Sequence, residues 1–197
     1  MERLLPNKDL ARIIVIEGFW GGGKSHLIQT MSRHFRIRFI PEPNYIESRV
    51  KSAVPAWYRN RHFRRMRKAK VLARRGHTVV LERSILSSAA FHYVRYRSTP
   101  RWFAVASKAL NEFASLQILF LVYNQATFRQ HSVLIKDRSI RRVIVARGER
   151  VFYRKYLQFF KEIVPRFINA KVCCVKVSNK SSESSIIRKY FNDLPHN

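Results

Sequence analysis

Residues 17–25 read EGFWGGGKS and follow the apolar run Ile13-Ile14-Val15-Ile16 directly. The most flexible residue type therefore stands at the end of the most regular apolar run. Lys24-Ser25 then open KSHLIQTMSRHF (24–35), whose apolar positions have helical spacing. The series Gly18-Phe19-Trp20-Gly21-Gly22-Gly23-Lys24-Ser25 satisfies G-x-x-x-x-G-K-[ST] without a mismatch, between a strand and a helix. Glycines at 18, 21, 22 and 23 let the backbone turn tightly and approach phosphate oxygens. The N–H groups of the loop and of the helix start, out to His26, then point at the anion. Lys24 is placed to reach the outer phosphates and Ser25 to ligate a magnesium ion. A glycine-rich turn that binds nothing is the alternative, and strand, loop, lysine and helix in this order argue against it.

The rest of the chain alternates in the same way. Strands are expected over 11–18, 37–43, 77–84, 117–124 and 170–178. Helices are expected over 24–35, 56–75, 87–96, 102–116, 127–139, 150–167 and 182–194, with a basic connector before residue 150. Continuous apolar strands separated by helices imply a parallel sheet covered on both faces. The expected fold class is thus α/β, a three-layer sandwich with a sheet of about five strands. No repeat, low-complexity tract or linker divides residues 1–197, so one domain is expected. Cys173 and Cys174 are adjacent on a strand and point to opposite faces, which argues for buried thiols and against a disulfide between them.

Composition bears on partners. Hydrophobic residues make up 46%, which argues against disorder. No apolar run approaches the roughly 20 residues that span a bilayer, so no membrane partner is expected. The start, MERLLPNKDLARII, lacks a signal-peptide pattern, so a cytoplasmic location is expected. Lys plus Arg number 39 against 12 Asp plus Glu, a formal charge of +27. The basic residues are densest in RNRHFRRMRKAK (59–70). Either this is a solvated basic helix face, or the partner is an anionic polymer such as DNA or RNA.

The form I-E-G-x-x-G-x-G-K-S resembles the P-loop of the deoxynucleoside kinase and thymidylate kinase superfamily. Three further marks fall in order. Glu42-Pro43 stands where deoxynucleoside kinases carry E-P after the second strand, and Glu82-Arg83-Ser84 where they carry E-R-S after the third. Ser87-Ser88-Ala89-Ala90-Phe91 is similar to the S-S-x-A-[YF] of thymidylate kinases. The resemblance runs from about residue 12 to the C-terminus. It implies a P-loop NTPase fold, ATP and Mg2+, and phosphoryl transfer to a nucleoside or nucleoside monophosphate. It implies Glu42 as the base on an acceptor hydroxyl, Glu82 as a holder of magnesium, and Arg83 on the acceptor or the transferring group. An arginine-rich lid is implied over about 136–149, with Lys136, Arg138, Arg141 and Arg142 in the region and Arg138 and Arg142 as the catalytic choices. Arg61 is implied as a contact to the acceptor base. For Glu17, Glu42 and Glu82 the alternative is a surface salt bridge.

The chain also departs from the family. Asn44-Tyr45 follows the E-P pair where thymidylate kinases have glycines, and Val122-Tyr123-Asn124 ends the fourth strand. These departures bear on the acceptor more than the donor. Three functions therefore compete: a kinase of free nucleosides or nucleotides, a kinase of nucleotides within DNA or RNA, and a structural subunit of a basic assembly. A homodimer is left open.

Overall fold

Apolar runs without polar alternation fold here as fully covered parallel strands. The structure is a computed structural model that describes residues 12–43, 54–133, 135, 138–177 and 183–196; of residues 54, 55, 138 and 139 it describes the backbone alone. The strands are β1 (Ile13–Gly18), β2 (Ile37–Ile40), β3 (Thr78–Glu82), β4 (Leu116–Val122) and β5 (Lys171–Lys176). All pair in parallel in the order β2-β3-β1-β4-β5. β1 and β4 are buried along their whole lengths, Glu17 and Gln117 included, as suits strands dominated by apolar residues in a covered sheet.

The helices among the described residues are α1 (Lys24–His34), α2 (Val54–Arg74), α3 (Ile85–Tyr96), α4 (Phe103–Asn111), α5 (Gln125–Ser132), α6 (Arg138–Arg147), α7 (Glu149–Gln158), α8 (Val164–Phe167) and α9 (Glu183–Tyr190). Strand alternation divides the core in two. Ile14 and Ile16 pack with Leu27, Ile28 and Met31 of α1 and Ile186 and Ile187 of α9. Ile13 and Val15 face the other way, against side chains of α2 to α8. The result is the expected α/β sandwich, a five-stranded parallel sheet with helices on both faces. No helix among the described residues is long and apolar enough to cross a membrane.

Four local expectations need correction. The second strand stops at Ile40, because Pro41 and Pro43 cannot continue the ladder. The basic connector is helix α6, which buries Val143 and Ile144 against the core. The long helix expected over 150–167 is interrupted by a π-helical turn, Phe159–Ile163, in which the Val164 N–H donates to Phe159 O. Pro165 lies just beyond it and lacks the N–H a regular helix would need there. The two cysteines are free and partly buried, not fully buried. Cys173 packs on the α1 side and Cys174 on the other.

β1 lies between β3 and β4, so the chain leaves β1 for one side of the sheet and later returns to the other. The loop after β1 thus opens at the point where the strand order reverses, the place where parallel sheets leave a crevice at their C-terminal edge. Strands β2 and β3 end at the same edge.

Candidate active site

The glycine loop is pinned from below. Gly18 has φ 148°, and a Cβ there would stand 2.8 Å from the Leu121 carbonyl oxygen of β4. Phe19 is fully buried, its ring centroid 5.0 Å from Phe128 and 4.9 Å from Tyr153. Tyr123 donates its hydroxyl to Trp20 O, and Tyr153 donates to Tyr123 O at 2.8 Å. Gly21 and Gly22 lie against His131 and Tyr123. Gly23 differs. Its φ is 75°, and a Cβ would meet nothing within 4 Å. It caps α1 without a side-chain hydrogen bond. Gly23 therefore leaves open space beside the N-terminus of α1, above a loop held in place by aromatics, and a helix N-terminus with uncapped N–H groups suits an anion.

Lys24 is the first residue of α1 and is 7% exposed. Its Nζ donates to Phe19 O at 3.0 Å. Burial, and then the Arg83 charge, lower its pKa to about 7 against the pull of Glu42, Glu82 and Glu17. Beside it Ser25 Oγ donates to Glu82 Oε1 at 2.7 Å. A hydroxyl and a carboxylate oxygen in contact are hard donors that fit Mg2+, which takes few protein ligands and completes its shell with phosphate and water. Among the described residues no cluster of three or more His, Cys, Asp or Glu forms a metal cage of its own.

Arg83 is the centre of the second half. It has φ 56°, unusual for a non-glycine residue, and its N–H still continues the ladder by donating to Ile16 O at 3.0 Å. The side chain is 2% exposed. Its Nε lies 3.0 Å from Glu42 Oε2, an ion pair in which the N–H is not aimed for a hydrogen bond. It donates to Ser87 Oγ at 3.1 Å and to the Tyr156 hydroxyl at 3.4 Å, and its guanidinium lies 4.8 Å from the centre of the Trp20 ring. Burial alone would lower its pKa; Glu42, Tyr156 and Glu17 outweigh that and raise it.

Glu17, the acid beside the glycine loop, is fully buried and forms no surface salt bridge. It accepts from Ser84 N and Ser84 Oγ at 2.7 Å each and from Ser87 Oγ at 2.5 Å. It ties β1 to the first turn of α3, where a carboxylate also complements the helix dipole. Desolvation by burial raises its pKa, with Arg83 the main opposing influence.

His26, Arg61 and Arg142 lie on helices α1, α2 and α6. His26 shares a 2.6 Å contact with Glu183, joining α1 to α9. Arg61 lies on α2 with its guanidinium 5.2 Å from the centre of the Trp57 ring. Arg142 is exposed on α6, and no contact among the described residues joins it to the glycine loop. Arg138 begins α6, but its side chain, like Lys136, Asn44 and Tyr45, lies outside the described residues.

Sequence reasoning passed over Arg65. It donates to Ile40 O at 3.0 Å, Glu82 O at 2.6 Å and Arg83 O at 3.1 Å, and to His62 Nδ1 at 2.9 Å. One guanidinium thus clamps the ends of β2 and β3, the segments that present Glu42 and Glu82. Burial lowers its pKa to about 10 and, together with Arg65 and Arg83, lowers that of His62 to about 3, so His62 is a neutral acceptor. The only signal for Arg65 was its phase on α2, between buried His62 and Met66 and therefore turned toward the sheet.

No protein-family model matches the chain, and no curated protein sequence matches it. Solved structures do. A deoxyadenosine kinase from M. mycoides with bound dATP superposes with a TM-score of 0.64 at 18% identity, over 89% of this chain and 97% of that one. A thymidylate kinase from Candida albicans gives 0.63 at 12% identity, over 93% and 90%. The YorR protein of Bacillus subtilis, in complex with phosphorylated GDP, gives 0.57 at 12% identity, over 90% and 92%. The chain therefore has the P-loop kinase fold of deoxynucleoside and thymidylate kinases.

Proposed function

We propose that this protein transfers the terminal phosphoryl group of ATP to a (deoxy)nucleoside or nucleoside monophosphate. The observation that carries the proposal is the meeting of two carboxylates at one sheet edge: Glu82 on Ser25 at 2.7 Å and Glu42 on Arg83 at 3.0 Å, beside buried Lys24. The structural neighbours, nucleoside and nucleotide kinases, support it at the level of the fold.

Each residue has a task in such a transfer. The α1 N-terminus and Lys24 receive the donor phosphates. Ser25 and Glu82 hold Mg2+, which supplies charge neutralisation when bound. Glu42 accepts the proton of an acceptor hydroxyl. Arg83 orients Glu42, and its guanidinium is already committed to Glu42, Ser87, Tyr156 and the Trp20 face. That commitment leaves little of it to grip an acceptor phosphate, which favours a nucleoside hydroxyl as acceptor. Arginines of the 136–149 lid, Arg138 and Arg142, neutralise charge on closure.

A nucleotide within DNA or RNA is the competing acceptor, and the +27 charge speaks for it. The experiment is transfer of labelled phosphate from ATP to free deoxynucleosides, nucleoside monophosphates and DNA or RNA ends, side by side. Label on the nucleosides or monophosphates supports the proposal. Label on polymer ends alone moves the function to the second reading, and label on none leaves a structural subunit.

A further inference from the structure

Helix α2 has no aspartate or glutamate between Val54 and Arg74. Its buried side is set by His62, Met66 and Ala69. Its exposed positions recur at Asn60, Arg64, Arg67, Lys68, Val71 and Arg74, and Arg75 follows at the helix end. At 100° per residue these fall on one arc of about 120°, opposite the buried stripe. The arc holds five cations, one amide and one valine.

Two of the helix's other cations are answered internally. Arg65 is spent on strand carbonyls, and Lys70 pairs with Glu112, which the charge of Arg74 also reaches. For Arg64, Arg67, Lys68 and Arg75 no acidic partner occurs among the described residues. Like charges at i,i+3 and i,i+4 (Arg64 with Arg67 and Lys68) work against the helix. A local rule is broken here with no compensation among the described residues, as at a surface kept for an external partner.

We infer that the exposed face of α2 is a binding surface for a nucleic-acid phosphate backbone, separate from the phosphate site at the glycine loop. From Arg64 to Arg75 the stripe runs about 16 Å at 1.5 Å per residue. One nucleic-acid strand offers about five phosphates over that length, matching the five cations. Four of the five are arginines, whose planar fork suits phosphate oxygens. An anionic membrane is the poorer match. A helix lying on a bilayer needs an apolar face for the lipid, and the apolar face of α2 is buried in the core. The stripe starts near Arg65, at the sheet edge that carries the site, and runs toward the opposite edge where β3 begins. A bound strand would tether the protein without entering the site. This inference does not depend on the kinase reading.

The test compares two triple variants of equal charge. One is Arg64→Gln, Arg67→Gln, Lys68→Gln on α2; the other is Arg36→Gln, Arg188→Gln, Lys189→Gln on the far face. Binding to labelled 20-mer duplex DNA, to a 20-mer RNA and to phosphatidylserine vesicles is followed by fluorescence anisotropy or sedimentation over a salt series. Parent binding to at least one nucleic acid is expected to fall steeply with salt. The α2 triple is expected to flatten the log–log slope by about 3, one per lost phosphate contact. The far-face triple is expected to leave it nearly unchanged. Thermal unfolding of the α2 triple is expected at or above the parent midpoint, because self-repulsion is relieved, so loss of binding is not loss of fold. Equal effects of the two triples, binding to vesicles alone, or no binding by the parent would each overturn the inference.

Discussion

Lys24 is held in a state that a bound polyphosphate must reverse. Its ammonium is nearly enclosed, with Phe19 O as its hydrogen-bond partner, and its pKa is about 7. About half of the ligand-free molecules therefore carry a neutral Lys24 at pH 7 and about nine in ten at pH 8. Donor phosphates beside Nζ restore the charge. Binding of MgATP should then take up about 0.5 proton at pH 7, about 0.9 at pH 8 and about 0.1 at pH 6. The sign follows for stability too. A lysine whose folded pKa is depressed contributes stability above its unfolded value near 10.4, and that stability is lost as pH falls toward about 7. The assay is titration calorimetry of MgATP in two buffers of different ionisation enthalpy, with Lys24→Met as reference. Uptake that grows from pH 6 to pH 8 in the parent and is absent in Lys24→Met is expected. No buffer-dependent uptake at pH 8, or the same uptake in Lys24→Met, would refute the reasoning.

Three further outcomes are expected. Glu17→Ala leaves the Ser84 N–H and two hydroxyls without their acceptor and should cost about 3–5 kcal/mol in denaturant unfolding at pH 7. Glu17→Gln should cost far less. The raised pKa of Glu17 means its contribution is full below the unfolded value of about 4.3 and declines as pH rises toward the folded one; equal losses for Ala and Gln would contradict the hydrogen-bonding role. Glu42→Gln should lower turnover on a hydroxyl acceptor by about 100-fold or more while ATP binding persists; parent-like turnover would point to a phosphate acceptor or another base. Gly23→Val places a β-branched residue at φ 75° and projects it into the open space above the loop. ATP affinity should fall sharply in a protein that still folds, and unchanged affinity by direct titration would count against phosphate binding there.

Much of this fold was legible in the sequence, for a local reason. The apolar runs of β1 and β4 carry their own burial, and Gly18 to Ser25 carry the turn and the helix start within eight residues. Glu42 and Glu82 stood out through the short E-P and E-R-S resemblances, each at or just after the end of a strand. What could not be read depends on distant partners. Glu17 looked like a candidate surface acid because Ser84 and Ser87 lie 67 and 70 residues away. Arg65 was passed over because a helix crowded with arginines gives no charge contrast; only the apolar phase of Met66 and Ala69 turns it toward the sheet. Helix α6 was passed over because its arginines hid the i, i+3, i+4 spacing of Ile140, Val143 and Ile144. The aromatic anchor of the loop was invisible as well, since Phe19 meets Phe128 and Tyr153 only after β3 and β4 have been laid beside β1.

The central claim is that the loop from Gly18 to Ser25 delivers a phosphoryl group. It is tested most directly by comparing ATP-dependent phosphoryl transfer by the parent and by Lys24→Ala, on the acceptor that labels best, with circular dichroism to verify the fold. The account predicts a folded Lys24→Ala protein whose kcat/KM is lower by about 100-fold or more, because the donor phosphates lose their main side-chain charge. A folded Lys24→Ala protein that binds ATP and turns over like the parent would contradict it.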